Sequence, residues 1–281
     1  MILVIGATGN VGRPTVSYLR EAGAKVRALV RNPSTAGLPA DVETVQGDLT
    51  RPETVEAALG GVDTVFLIWP GFGVENAAAV VDAIARHARR VVYLSADMPD
   101  LAEGEESSLF HQDIERLIRA SGLEWTFLKP GGFATNTLGW AEQIRRDGVV
   151  RWPYGQGGRS LIHEADIAAV AALTLTQEGH TGAGYVLTGP EVLTQADQVR
   201  VIGEVIGRPA RWEEIAPEEA RERLLASWGD ATFVDGVLKA WGRLVDEPEG
   251  VTDTVERLTG RPARTFRSWV ADHADAFTGE D

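Results

Sequence analysis

The chain has no cysteine. That excludes disulfides, thiolate nucleophiles and cysteine-bound zinc. Base is scarce: 27 Lys and Arg stand against 41 Asp and Glu, a formal charge of −14, and Lys25, Lys129 and Lys239 are its three lysines. A nucleic-acid reader needs a basic stripe, so DNA and RNA are not expected partners. No run approaches the ~18 uninterrupted apolar residues of a membrane span. Internal repeats, low-complexity tracts, a Gly-x-Ser-x-Gly hydrolase elbow and metal-type His/acid spacing are also missing, so no metal is expected. What remains is 281 residues, 44% hydrophobic and 24% charged, enough for one large or two small globular domains. Residues 1–5 already read as a buried strand, which leaves no room for a secretory leader. The expectation is a cytoplasmic protein acting on a small molecule, monomer or homodimer.

The first half alternates β-branched runs with helical patterns. Strands are expected at 1–5, 25–30, 42–46, 64–68, 90–95 and 125–128. Most are continuously apolar, as befits a parallel sheet covered on both faces. Helices are expected at 11–22, after a Thr50-Arg51-Pro52-Glu53 capping box, at 74–87 and at 109–120. This rhythm predicts an α/β fold, a doubly wound parallel Rossmann sheet. After Pro130 helices dominate, at 137–147, 163–177, 194–206, 217–227 and, interrupted, 253–277, with short strands near 149–152, 184–187 and 211–215. The expected division is a nucleotide-binding domain over 1–150, to which 159–190 returns, and a smaller, mostly helical substrate lobe over 151–281.

The sharpest motif is Gly6-Ala7-Thr8-Gly9-Asn10-Val11-Gly12, between the first strand and the first helix. Glycine there permits a tight turn, close approach of a pyrophosphate, and close helix–sheet packing. The helix N-terminus adds unpaired amides and partial positive charge. An NAD site places an acid at the end of the second strand. This chain has Arg31 instead, suited to a 2′-phosphate, with Arg13 as a helper, so NADP(H) is favoured over NAD(H). Arg31 read as a plain solvated strand end is the competing view. Asp48 either bonds the adenine amino group or serves a turn.

The segments 6–12, 27–31, Gly47-Asp48-Leu49, 121–126, Lys129-Pro130-Gly131-Gly132-Phe133, 163–168, 187–191 and 266–277 together resemble the NmrA-like branch of the atypical short-chain dehydrogenase/reductases. The resemblance covers nearly the whole chain. It implies a Rossmann domain that binds NADP(H), with Lys129 and Pro130 near the cofactor. In that branch stand quinone, azo and carbonyl or enone reductases, and also redox-sensing regulators. The broader family's Tyr-x-x-x-Lys pair is missing: its slots fall on Ser107 and His111, followed by Glu115.

His111 and Glu115 share a helix face. An imidazole with a pKa near the working pH can donate a proton to a reduced oxygen or carbon, and a ribose contact is the equal alternative. Ser95, at the carboxyl edge of the fifth strand, is placed to bond a substrate carbonyl. Trp69, Phe72, Phe133, Tyr154 and His163 are candidates for an apolar slot that takes an aromatic or quinone substrate, although Trp140 and Trp152 read better as core. An acidic loop over 99–106 is expected to be solvated. The leading expectation is an NADPH-dependent oxidoreductase for a small quinone, enone or carbonyl compound. The alternatives are a non-catalytic NADP(H) sensor acting on a protein partner, and a redox-neutral isomerase or cyclase.

Overall fold

The computed structural model describes residues 1–71, 73–98 and 110–279. The first elements along the chain are β1 (Ile2–Ile5), α1 (Gly12–Glu21), β2 (Val26–Val30), β3 (Glu43–Gln46), α2 (Pro52–Ala58), β4 (Thr64–Ile68), α3 (Ala77–His87), β5 (Arg90–Leu94), α4 (Phe110–Ala120) and β6 (Glu124–Pro130). A 3-10 segment (Ala134–Trp140) leads to α5 (Ala141–Asp147), β7 (Val149–Trp152), β8 (Gly158–Arg159), α6 (Glu164–Thr176), β9 (Ala183–Leu187), β10 (Leu193–Thr194), α7 (Gln195–Val205) and β11 (Arg211–Glu214). The last are α8 (Pro217–Trp228), α9 (Ala231–Asp246), α10 (Thr254–Thr259), α11 (Phe266–Asp272) and α12 (Ala274–Thr278).

The chain divides into two compact units. The first comprises Met1–Pro130, Glu164–Leu187 and Thr254–Arg261. Among its described residues a seven-stranded parallel sheet runs in the order β3-β2-β1-β4-β5-β6-β9. The reversal of direction between β1 and β4 is the doubly wound signature, and it opens a crevice at the strands' carboxyl ends. Alternate residues of a strand face opposite sides. Leu3, Leu67, Val91, Tyr93 and Phe127 therefore join one core with Val55, Val80, Ile84, Ile114 and Ile118 of α2, α3 and α4. On the other side α1 packs against α6, and α6 against β4, β5 and β6. Both faces are covered, which is why these strands read as unbroken apolar runs.

The second unit comprises Gly131–His163, Thr188–Asp253 and Pro262–Asp281. It holds two small two-stranded sheets, β7 with β11 and β8 with β10, and six of the helices described above. Trp140, Ile144, Val150, Ile202, Phe266, Trp269 and Phe277 form its main core. Ile215, Ala220, Leu224, Val234 and Leu238 form a second cluster beneath α8 and α9, with Trp152, Tyr154 and Trp241 against it.

Several expectations need correction. The chain leaves the first unit at Pro130 rather than at 150, because Gly132 O and Phe133 turn to pair with Ile162. The returning stretch is Glu164–Leu187, and β9 extends the sheet as an edge strand. A further return, Thr254–Arg261, packs α10 on α6 and β9. The longest helix, α9, falls in a stretch where no element was expected. The Thr50 capping box does not form: Arg51 is the N-cap without a side-chain bond, and Thr50 Oγ1 donates to Asp48 Oδ1 instead. Helix α3 begins at Ala77, later than the expected 74.

Candidate active site

The glycine turn is built by exclusion. Gly6 has φ +85°, open to glycine and strained for other residues. A Cβ on Gly12 would lie 2.0 Å from the Gly6 carbonyl oxygen, so the start of α1 presses on the turn without room for a methyl. The turn is fastened by Gly9 N–H to Gly6 O at 3.1 Å and Arg13 N–H to Gly9 O at 3.0 Å. Val11 is the N-cap, buried and without a side-chain cap bond. The amides of Asn10, Val11 and Gly12 have no acceptor among the described residues. These are orphan donors of a helix start, in the place where a phosphate binds.

From this turn a cleft of about 410 Å³ follows the carboxyl ends of β1 to β4. Gly6, Thr8 and Gly9 line it together with Arg31, Asp48 and Pro70. The adenosine diphosphate half of a dinucleotide takes this path in a doubly wound sheet. The Arg31 guanidinium makes no hydrogen bond or ion pair among the described residues, whereas its carbonyl accepts from Gln46. Arg13, expected to assist, is committed elsewhere: its guanidinium donates to the carbonyls of Gly37 at 2.8 Å and Ala36 at 3.1 Å. Asp48 serves the turn, accepting from Thr50 N–H and Oγ1, each at 2.9 Å. Those bonds, with the nearby Arg31 and Arg51, hold its carboxyl below the usual range. Its Oδ1 is thereby used, and Asp48 still lines the cleft. The residues present fit a nicotinamide dinucleotide.

Farther along the same edge, β5 and α4 bring four expected or neighbouring residues together. A helix following a parallel strand runs back along the sheet, so the first turn of α4 lies at the carboxyl edge. There His111 Nδ1 stands 2.6 Å from Tyr93 Oη. One turn on, Glu115 Oε1 accepts from Ser95 Oγ at 2.6 Å. Glu115 Oε2 takes Arg119 Nη2 at 2.8 Å and stands 3.5 Å from Lys129 Nζ. The carboxylate is almost fully buried, and two cations and a hydroxyl satisfy it.

This geometry revises two roles. Ser95 is buried and its proton is given to Glu115, so it is not the donor to a substrate oxygen. Glu115 is held by Ser95, Arg119 and Lys129. Burial pushes the His111 pKa down to about 4, so the ring is neutral at pH 7; this disfavours the protonated acid, one of its two equally weighted expectations, and leaves the ribose contact open. Lys129 sits in the Glu115 network, and Pro130 ends β6 with its carbonyl accepting from Asp97 N–H. Tyr93 carried no signal in the sequence, because the residue that pairs with it lies eighteen positions away on another element.

The slot candidates are dispersed. Trp69 belongs to the sheet core, with its indole N–H on Gly73 O at 2.9 Å. Phe72 and the acidic loop over 99–106 lie outside the described residues, as does Ser107. In the second unit Phe133 caps the 3-10 segment, and His163 is buried with Nε2 3.2 Å from Asp272 Oδ2. Tyr154 has φ +64°, a strained value for a residue with a Cβ. Its carbonyl accepts from Gln195 at 2.8 Å, and Gly155 N–H donates to Glu214 at 2.9 Å. Trp140 is core, as expected.

The model of the NAD(P)H-binding family matches residues 6–178. The chain belongs to that family. Relatives match end to end: a (4-alkanoyl-5-oxo-2,5-dihydrofuran-3-yl)methyl phosphate reductase of Streptomyces griseus is 38% identical over 100% of both chains. An NAD(P)H azoreductase of Xenophilus azovorans is 36% identical over 99% of both. In fold the chain matches a Citrobacter triphenylmethane reductase solved with NADP(H), TM-score 0.81 and 24% identity, over 98% of this chain and 100% of that one. The NmrA-like resemblance thus holds, and the chain is an NAD(P)H-dependent oxidoreductase. Among the described residues no helix is long and apolar enough to cross a membrane, and no His/acid group could hold a metal ion.

Proposed function

We propose that the protein uses NADPH in preference to NADH and reduces a small, conjugated carbonyl compound, an enone or quinone. The observation that carries the cofactor half is Arg31, a guanidinium with no hydrogen bond or ion pair among the described residues, lining the cleft where an NAD site would carry an acid. The amides of Asn10, Val11 and Gly12, with Gly6, Thr8 and Gly9 giving them room, hold the diphosphate, and Arg31 holds the 2′-phosphate. Asp48 keeps the turn after β3 in shape beside the adenosine.

When bound, the nicotinamide supplies hydride. The chain's own contribution is position and polarity. The Glu115 network fixes α4 to β5 and β6, and His111 offers a neutral imidazole at the carboxyl edge. The Streptomyces griseus relative supports the substrate class. Its named substrate is a dihydrofuran whose ring double bond carries an oxo carbon and an alkanoyl group, an alkene primed for hydride.

The test is NADPH and NADH oxidation against a panel of quinones, unsaturated lactones and simple ketones. Turnover of a conjugated acceptor with NADPH favoured is expected. Equal use of NADH overturns the Arg31 assignment, and turnover confined to saturated ketones overturns the substrate class.

A further inference from the structure

Two side-chain bonds join β5 to α4. Tyr93 and Ser95 are two positions apart along an extended segment and share a face. His111 and Glu115 are four apart on the helix and share a face. Docking alone does not require both bonds, because Ile114 and Ile118 are already fully buried against the sheet. The Tyr93 bond has a chemical consequence that the Ser95 bond lacks. Tyr93 is fully buried, and burial together with the Glu115 charge pushes its pKa up, so the phenol keeps its proton. A buried hydroxyl proton needs an acceptor. Among the described residues the acceptor facing Tyr93 Oη is His111 Nδ1, at 2.6 Å. A ring nitrogen that accepts carries no proton, and a neutral imidazole then holds its single proton on Nε2.

We propose that Tyr93 is a positioning residue: its O–H, donated to Nδ1, fixes His111 as the Nε2–H tautomer, so that the ring presents a hydrogen-bond donor to the substrate's carbonyl oxygen. The proposal rests on the reductase reading above. In the reaction, hydride bonds to the β-carbon of the conjugated acceptor. The alkene electron pair moves toward the carbonyl, and charge develops on oxygen. The Nε2–H bond stabilises that oxyanion. His111 keeps its proton, since loss would leave an imidazolate, and the proton that completes the reduction comes from water.

The experiment is a long-range ¹H–¹⁵N correlation spectrum of the full chain, labelled at histidine, at pH 7. The His111 signals are assigned by their loss in His111→Gln. Wild type is expected to show the Nε2–H pattern. Tyr93→Phe is expected to shift His111 toward a mixture of tautomers, while Ser95→Ala, which removes the other bond, leaves the pattern in place. An Nδ1–H pattern in wild type, or no shift in Tyr93→Phe, overturns the proposal. The wild-type spectrum suffices for the first outcome even if the variant does not fold. With NADPH and menadione, Tyr93→Phe should lose about tenfold in kcat with KM for NADPH unchanged. Full kcat beside a shifted tautomer overturns the role in turnover. No turnover in wild type overturns the reductase reading and leaves the tautomer result standing.

Discussion

Two stretches of the carboxyl edge are made from different materials. At the glycine turn the polar groups left open are backbone amides, and side chains contribute by being absent. At β5 and α4 they are side chains, each held by a second side chain. A backbone site tolerates change along most of its length and fails completely where a methyl cannot fit. A side-chain site degrades by degrees, in proportion to the bond removed. The largest expected effect tests the first half of that contrast. Gly12→Ala sets a Cβ against Gly6 O, and it should cost about 3 kcal/mol and abolish NADPH binding, read by thermal melting and calorimetric titration. A variant that binds normally would break the contrast.

Glu115→Gln comes next. It keeps an acceptor for Ser95 but withdraws the charge shared by Arg119 and Lys129. A loss of about 2 kcal/mol in urea unfolding is expected, with NADPH affinity little changed because this network is separate from the cleft. Arg31→Ala should be milder and more selective. Affinity for NADPH should fall about tenfold, ~1.4 kcal/mol, while affinity for NADH and the melting temperature stay as they were.

The smallest effect is a slope. His111 is held below its ordinary value, to about 4, so the unfolded chain binds its proton first as pH falls. Stability contributed by the neutral ring is present above the unfolded value of about 6.5. It is lost as pH drops toward 4. His111→Gln should flatten the stability profile in that window by about one proton, measured as urea midpoints at several pH values.

The contrast also explains what the sequence disclosed. Gly6, Gly9 and Gly12 announce a steric requirement within seven residues, so the turn, its strand and its helix were legible together. Strands β1, β4 and β5 were legible because both their faces are buried. Ser95 was placed correctly at the carboxyl edge, but its role was misjudged: the carboxylate that takes its proton lies twenty positions on. Helix α9 was missed because Gly236 and Gly242 interrupt its pattern. Gly242 has a spatial reason invisible to periodicity, since a Cβ there would meet the Tyr154 ring at 3.3 Å. Thr50 shows the reverse error, a capping pattern whose hydroxyl was already claimed by Asp48.

The chain enters the sheet-bearing unit three times, and its last visit is the short segment Thr254–Arg261, which carries α10. No single cut therefore separates this unit from the other. Exchanging the other unit between relatives requires splices near 130, 163, 187, 253 and 261 rather than a single fusion.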